Sequence, residues 1–288
     1  MGAGGASAGP PPAGVNRSWL VVTATDEAAE RLHDDLQFFH AMVGLPPDAL
    51  ELFPEWETLP YEATSPHVEL IARRMRTLQR LTDHARTLLV TSLPALMQRL
   101  LPLSVFSEAR LRLRSGESLE RAALIGRLLR LGYRRGSVVE IPGEFSIRGG
   151  IVDVYSTAYP DPLRLEFLGD TIESVRFFDQ ATQKSTTKLN EAWLLPAREF
   201  LAPNSRAESL APLPPDAEWR GPELYGSMET LLDYFPTPPI LVFDQPASLA
   251  KKAAEFWKEI EEAYFRHGEP PDAAPYPTPD RLYLHWDH

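Results

Sequence analysis

The sequence predicts an α/β fold: a parallel sheet with helices, interrupted by an inserted α+β domain with antiparallel strands. Two observations predict it. Short apolar runs followed by capping residues and a helical pattern occur at Trp19–Val22, Thr87–Val90 and Ile240–Phe243, and buried strands that alternate with helices pair in parallel under helical cover. Between the second and third runs the apolar period falls to two, the mark of half-buried antiparallel strands. The expected organisation is a flexible tail at 1–14, an α/β domain beginning at 15–108, an inserted α+β domain at 109–199, and a return to the α/β domain with a C-terminal linker at 200–288.

Each element has its own signal. Residues 1–14 (MGAGGASAGPPPAG) are small residues and proline without periodicity, the composition of a flexible tail. After Trp19–Val22, Thr25 and Asp26 are the expected caps of a helix with Ala29, Leu32, Leu36 and Phe39 on its core side. Ser65 and Pro66 are expected to cap a helix whose Val68, Ile71, Met75 and Leu78 recur at helical steps. Thr91 or Ser92 caps the helix after Thr87–Val90, with Pro94 early in it. Farther on, Ser118 is the expected cap, Ala122 and Leu128 the apolar stripe, and Gly132 the C-terminal cap of another helix. Leu163, Leu165 and Phe167 then alternate with Arg164, Glu166 and Leu168, and Gly169-Asp170 turns the chain into Thr171–Phe178. The pair Gly149-Gly150 after Arg148 predicts a bulge inside a strand. Residues 202–222 and 268–279 read as loops or linkers, with a last helix between them from about Ser248 to Phe265.

Composition bounds the function. The chain has 288 residues, 43% of them hydrophobic, enough for two or three domains with cores of their own. Its formal net charge of -11 opposes autonomous binding to a polyanion. Arg73, Arg74, Arg76 and Arg80 mark either a local basic patch or the solvated face of an amphipathic helix. With no cysteine, disulfides, thiolate zinc sites and cysteine nucleophiles are excluded. The seven histidines show no ligand-like spacing, and His67 reads as structural in its first helical turn. No apolar run reaches the length of a membrane span and no secretory leader begins the chain, so the expected location is cytoplasmic.

The search for chemistry ends without an active site. No G-x-x-x-x-G-K-[ST] loop occurs, and its backbone amides and lysine are what hold a triphosphate. Asp244 is expected to cap the helix behind it. No catalytic residue, cofactor or metal ligand is expected. What stands out is a surface: if Leu163, Leu165 and Phe167 face the core, Arg164, Glu166 and Leu168 face outward. An arginine beside an exposed apolar residue is the composition of an interface hot spot, and equally of an ordinary solvated strand face. The expected bulge leaves Arg148 unplaced.

Longer motifs carry a resemblance. They are Leu52–Glu62 (LFPEWETLPYE), Ser65-Pro66-His67, Ala72-Arg73-Arg74, Gly132-Tyr133, Pro142–Phe145, Ile147–Ile151 (IRGGI), Asp153, Arg164–Asp170, Glu173-Ser174, Phe178-Asp179, Leu194–Glu199 (LLPARE) and Leu232-Asp233-Tyr234. In this order, from about Trp19 to Phe265, the chain resembles the UvrB-like N-terminal module of the bacterial transcription-repair coupling factors, the Mfd family. The resemblance implies a degenerate P-loop, RecA/helicase-like parallel sheet without ATPase activity. It also implies a role in nucleotide excision repair, in which the inserted domain recruits UvrA to stalled transcription complexes. The UvrA contact in that family uses two arginines and an aromatic residue, which fall on Arg148, Arg164 and Leu168. Leucine in place of the ring keeps an apolar contact and loses stacking, and Glu166 between them completes the expected patch. RNA polymerase and DNA would be reached only through regions that this chain lacks. The alternatives are a damaged-DNA binder using the arginines of the helix from His67 to Leu81, and a fragment of an ATP-dependent helicase or translocase.

Overall fold

Apolar runs far apart in the sequence meet in one parallel sheet. The structure is a computed structural model that describes residues 17–44, 46, 49–58, 61–62, 64–83, 86–201, 217–267 and 275–286. The tail expected at 1–14 lies outside the described residues, as do 202–216 and 268–274 of the expected loops. The first part runs β1 (Trp19–Thr23), α1 (Asp26–Met42), β2 (Leu50–Phe53), α2 (Val68–Thr82), β3 (Leu88–Ser92), α3 (Leu93–Met97) and α4 (Leu103–Ala109). The middle runs β4 (Leu111–Arg114), α5 (Arg121–Arg130), β5 (Arg134–Arg135), β6 (Glu144–Arg148), β7 (Ile151–Val154), β8 (Leu163–Leu168), β9 (Thr171–Phe178), β10 (Ser185–Leu189) and β11 (Glu191–Leu194). The chain returns through α6 (Gly221–Tyr225), β12 (Ile240–Phe243), α7 (Pro246–His267) and α8 (Pro279–Leu282).

The fold is mixed α/β with one parallel sheet and largely separate antiparallel pairing. In the first sheet, ordered β12-β1-β3-β2, every pairing is parallel. The second sheet, ordered β10-β9-β8-β7-β6-β5, is antiparallel apart from the short β5–β6 pair, and β11 pairs antiparallel with β4. Each sheet has its own core. Leu20, Val22, Met75, Leu78, Leu89 and Leu249 pack under the parallel sheet, while Leu124, Leu128, Phe145, Val152, Leu163 and Leu165 pack between α5 and the antiparallel one.

The caps fall partly where composition places them. Thr25 accepts the Ala28 amide at the start of α1 and Ser92 accepts that of Ala95 at the start of α3, each satisfying one orphan amide. Ser65 and Pro66 do not cap α2: its cap is His67, without a side-chain bond, because the Ser65 hydroxyl turns to Glu218 Oε2 at 3.1 Å. Ser118 does not cap α5 either, since it bridges to Thr171; the cap is Glu120, and Leu124 and Leu128 rather than Ala122 form the buried stripe. Asp244 does not open the helix behind it: its amide bonds the Val22 carbonyl in the sheet, the Gln245 carbonyl accepts the Ser248 and Leu249 amides, and α7 begins at Pro246, two residues before the expected start. Phe39 is exposed near the end of α1. Helical cover is also incomplete at the edge strand β12, where Leu241, Val242 and Phe243 are exposed.

One arginine–glutamate pair ties the chain after β11 to the first part, and a second fastens that stretch to itself. The Arg74 guanidinium, fully buried, donates to both oxygens of Glu199 at 2.5 and 3.1 Å and to the Pro54 carbonyl at 2.7 Å, with its carbon 4.1 Å from the centre of the Phe53 ring. Arg198 donates to Glu218 at 2.7 and 2.8 Å. Burial raises the Glu218 carboxyl above its usual range despite Arg198.

Candidate functional site

The candidate site lies on the polar face of the six-stranded sheet, opposite the face that α5 covers. Its geometry follows from register. Ser146, Asp153, Arg164 and Arg176 stand directly across from one another on β6, β7, β8 and β9, and the next row holds Arg148, Ile151, Glu166 and Ser174. Gly149-Gly150 is a two-residue hairpin turn, with Arg148 paired to Ile151, rather than the bulge predicted. Gly149 takes φ +58° there, a backbone that suits glycine. The bulge sits on β9 instead, where Glu173 is the extra residue between the pairs Glu166–Ser174 and Phe167–Ile172. Because the extra residue is not on β8, alternation there runs undisturbed from Leu163 to Leu168.

Asp153 organises the face. It is 1% exposed in the middle of an otherwise apolar strand, where a lone carboxylate would be costly. Both arginines supply the compensation: Arg164 Nε and Nη2 donate to its two oxygens at 2.7 and 3.0 Å, and Arg148 Nη2 donates to Oδ2 at 2.7 Å. Arg164 is further braced, with its guanidinium 4.4 Å from the Phe178 ring centre and Nη1 donating to the Gln183 carbonyl at 2.9 Å. The bonds to Asp153 hold it above the usual arginine range.

The two arginines therefore differ. The Arg164 side chain is 11% exposed and that of Arg148 47% exposed. One aspartate serves two guanidinium groups, so the cluster keeps an uncompensated positive charge, and the open part of the Arg148 fork presents it. Both protons of Arg148 Nη2 are engaged, by Asp153 and by the Gln183 side chain, which leaves Nε and Nη1 to donate to an incoming carboxylate.

Of the four residues expected at the site, Arg148 and Arg164 are brought together. Glu166 is on the same face but turned toward β9, accepting the Ser174 hydroxyl and lying 3.8 Å from Arg176 Nε, where it offsets the like charges of the facing Arg164 and Arg176. Leu168 is 72% exposed at the end of β8. It is close to the Arg148 hairpin, because the neighbouring Phe167 amide donates to the Gly150 carbonyl at 2.8 Å. Sequence reasoning missed Asp153 and Gln183 as members of the cluster. An aspartate within Ile-Val-Asp-Val is a legible signal, since a buried carboxylate there requires cations. Gln183 carries no such signal, because its position comes from a turn folding back.

Of the four arginines of α2, Arg73 is exposed and the other three are committed to contacts within the chain. Arg74 is in the buried pair with Glu199, Arg76 donates to the Thr157 carbonyl at 3.2 Å, and Arg80 pairs with Glu51 at 3.0 Å. At the junction of β1 and α1, Asp26 and Glu27 occupy the first helical turn, and Asp26 Oδ1 accepts the Glu55 amide. Burial and the nearby Asp26 charge push the Glu55 carboxyl up to about 7. Among the described residues, no helix is long and apolar enough to cross a membrane, and no group of three or more His, Cys, Asp or Glu is placed to hold a metal ion.

Residues 111–200, which hold the antiparallel sheet, match the family model of the UvrB interaction domain. Over most of its length the chain is a homologue of the transcription-repair-coupling factors. It is 37% identical to that of Myxococcus xanthus over 87% of this chain and 24% of the relative. It is 28% identical to that of Haemophilus influenzae over 82% and 22%, and 37% identical to that of Escherichia coli K12 over 63% and 15%. The chain thus spans no more than about a quarter of the length of these relatives.

Proposed function

We propose that this chain is a non-catalytic adaptor in transcription-coupled nucleotide excision repair, and that its six-stranded sheet recruits UvrA. The observation that carries the reading is the convergence of Arg148 and Arg164 on the buried Asp153. The exposed Leu168 lies farther along the strand that carries Arg164, two residues past Glu166. Together they have the make-up of a hot spot, with an arginine anchor, an apolar neighbour and little side-chain entropy left to lose. Charge agrees with position: the segment 109–199 holds slightly more basic than acidic residues, whereas the whole chain is at -11. In this reading Arg148 meets a partner carboxylate, Leu168 fills an apolar recess, Arg164 braces the pair and Glu166 offsets the charge of the flanking Arg176.

The parallel sheet is read as a degenerate P-loop sheet that acts as a scaffold. Where a phosphate loop would join β1 to α1, the chain reads Thr23-Ala24-Thr25-Asp26, with Thr25 capping the helix and two carboxylates in its first turn. That capping uses an amide a phosphate would need, and the carboxylates oppose a polyanion at the helix dipole. Calorimetry against purified UvrA tests the proposal. Binding at micromolar or lower Kd without ATP, lost in a folded Arg148→Ala, Arg164→Ala double variant, is the expected result. A folded wild type that fails to bind UvrA, or a wild-type chain that hydrolyses ATP, defeats the reading.

A further inference from the structure

The turn joining β9 to β10 takes no part in the site as drawn from the sequence, yet it is folded onto both arginines. Gln183 provides the contact twice: its carbonyl accepts Arg164 Nη1 at 2.9 Å and its side-chain Oε1 accepts Arg148 Nη2 at 3.3 Å. The turn is built to hold that position. Asp179 Oδ1 accepts both the amide and the hydroxyl of Thr182 at 2.7 Å, which holds its carboxyl below the usual range. The Gln183 amide donates to the Asp179 carbonyl at 2.8 Å, its side-chain Nε2 donates to the Gln180 carbonyl at 2.8 Å, and Gln180 Nε2 ties the turn to the Glu140 carbonyl. Gln183 pays for this with φ +58°, a left-handed backbone uncommon for a long side chain and a form of strain found where a group must be aimed.

We infer that Gln183 is a positioning residue of the docking surface: it sets the direction of the Arg148 fork through its side chain and braces Arg164 through its backbone. The inference rests on the docking reading above. With Nη2 held by Asp153 and Gln183, Arg148 keeps Nε and Nη1 open on a half-exposed side chain. A partner carboxylate approaching there meets a guanidinium already oriented, and orientation fixed in advance lowers the entropy cost of binding. The turn thereby becomes a rim of the interface, and the partner segment it fits is acidic, reaching the sheet between this turn and Leu168.

A double-mutant cycle read by calorimetry with UvrA tests the inference. Gln183→Gly suits the left-handed backbone and keeps the carbonyl; it removes the Arg148 contact together with the Nε2 bond to Gln180, while the Asp179 bonds to Thr182 and to the residue 183 amide still hold the turn. Its expected effect is a loss of about fivefold in affinity, the size of one ordinary net hydrogen bond, with Tm unchanged or raised. On an Arg148→Ala background the same change is expected to do nothing further. An equal loss on both backgrounds, or none on either, overturns the positioning role while Arg148→Ala alone still reports on the docking surface. If wild type does not bind UvrA at all, the docking reading falls, and rotation of the Arg148 guanidinium by NMR decides the clamp by itself. Faster rotation in Gln183→Gly than in wild type is expected, and equal rates overturn it.

Discussion

Two arginine–carboxylate clusters in this chain use the same groups to opposite ends. Around Arg74, one arginine meets one glutamate, both are buried, and every direction of the guanidinium is filled by Glu199, the Pro54 carbonyl or the Phe53 ring. Around Asp153, two arginines share one buried carboxylate, and the more exposed of them has directions left open. A neutral, enclosed pair offers nothing to a partner and serves to hold three stretches of chain together. A cluster with a surplus cation at its rim is incomplete, and the missing acceptor is what recognition supplies. Stoichiometry and exposure, rather than the presence of arginine, separate structural from interacting clusters.

The comparison breaks most visibly at Arg74. Arg74→Ala leaves Glu199 buried without a cation and is expected to cost about 3–5 kcal/mol, seen as a large fall in the midpoint of denaturant unfolding. Replacing both partners, Arg74→Met with Glu199→Met, should recover much of that loss. If the double change is as damaging as the single one, the pair matters for more than mutual neutralisation.

Arg148→Ala is expected to do the reverse. With a half-exposed side chain the change should lower stability by less than about 1 kcal/mol, while UvrA affinity falls at least about tenfold. Arg164→Ala should lose both, because it is packed on Phe178 and carries two of the three bonds to Asp153. Equal stability losses for the two arginines would remove the distinction between presenting and bracing.

Glu55 sharpens the contrast as a half-buried carboxylate held by the Ser92 hydroxyl rather than by an arginine. Its folded value, about 7 against an ordinary 4.5, favours the protonated form. The corresponding stability is complete below about pH 4.5 and is lost as pH rises through 7, with a slope of at most about 1.4 kcal/mol per unit. Thermal melts across this window should show Glu55→Gln gaining on wild type toward pH 8, and parallel curves would remove the effect. The smallest change in stability is expected at Leu168, where alanine should alter it by no more than about 0.5 kcal/mol. Leu168→Phe should tighten UvrA binding by about 0.5–1.5 kcal/mol if the partner recess accepts a ring, and weaker binding would show a recess shaped for leucine.

Much of this was legible in residue order. Alternation along Leu163–Leu168 was sufficient to place Arg164, Glu166 and Leu168 together, because successive strand side chains must point to opposite faces. The hairpin at Gly169-Asp170 and the caps at Thr25 and Ser92 were local in the same way. The Arg148 turn was misread, since a glycine pair permits both a bulge and a two-residue hairpin, and the choice is made by the partner strand.

By itself, the sequence determined what depends on near neighbours: the change of period from helix to strand, the outward face of β8, and the lack of a phosphate loop. Tertiary structure alone decided that Arg74 is buried while Arg148 is open, that one aspartate serves two arginines, and that Gln183 reaches both. The physical reason is range. Periodicity and capping act over a few residues, whereas compensating a buried charge requires groups that may lie anywhere in the chain, 125 residues apart for Arg74 and Glu199 and 35 for Arg148 and Gln183.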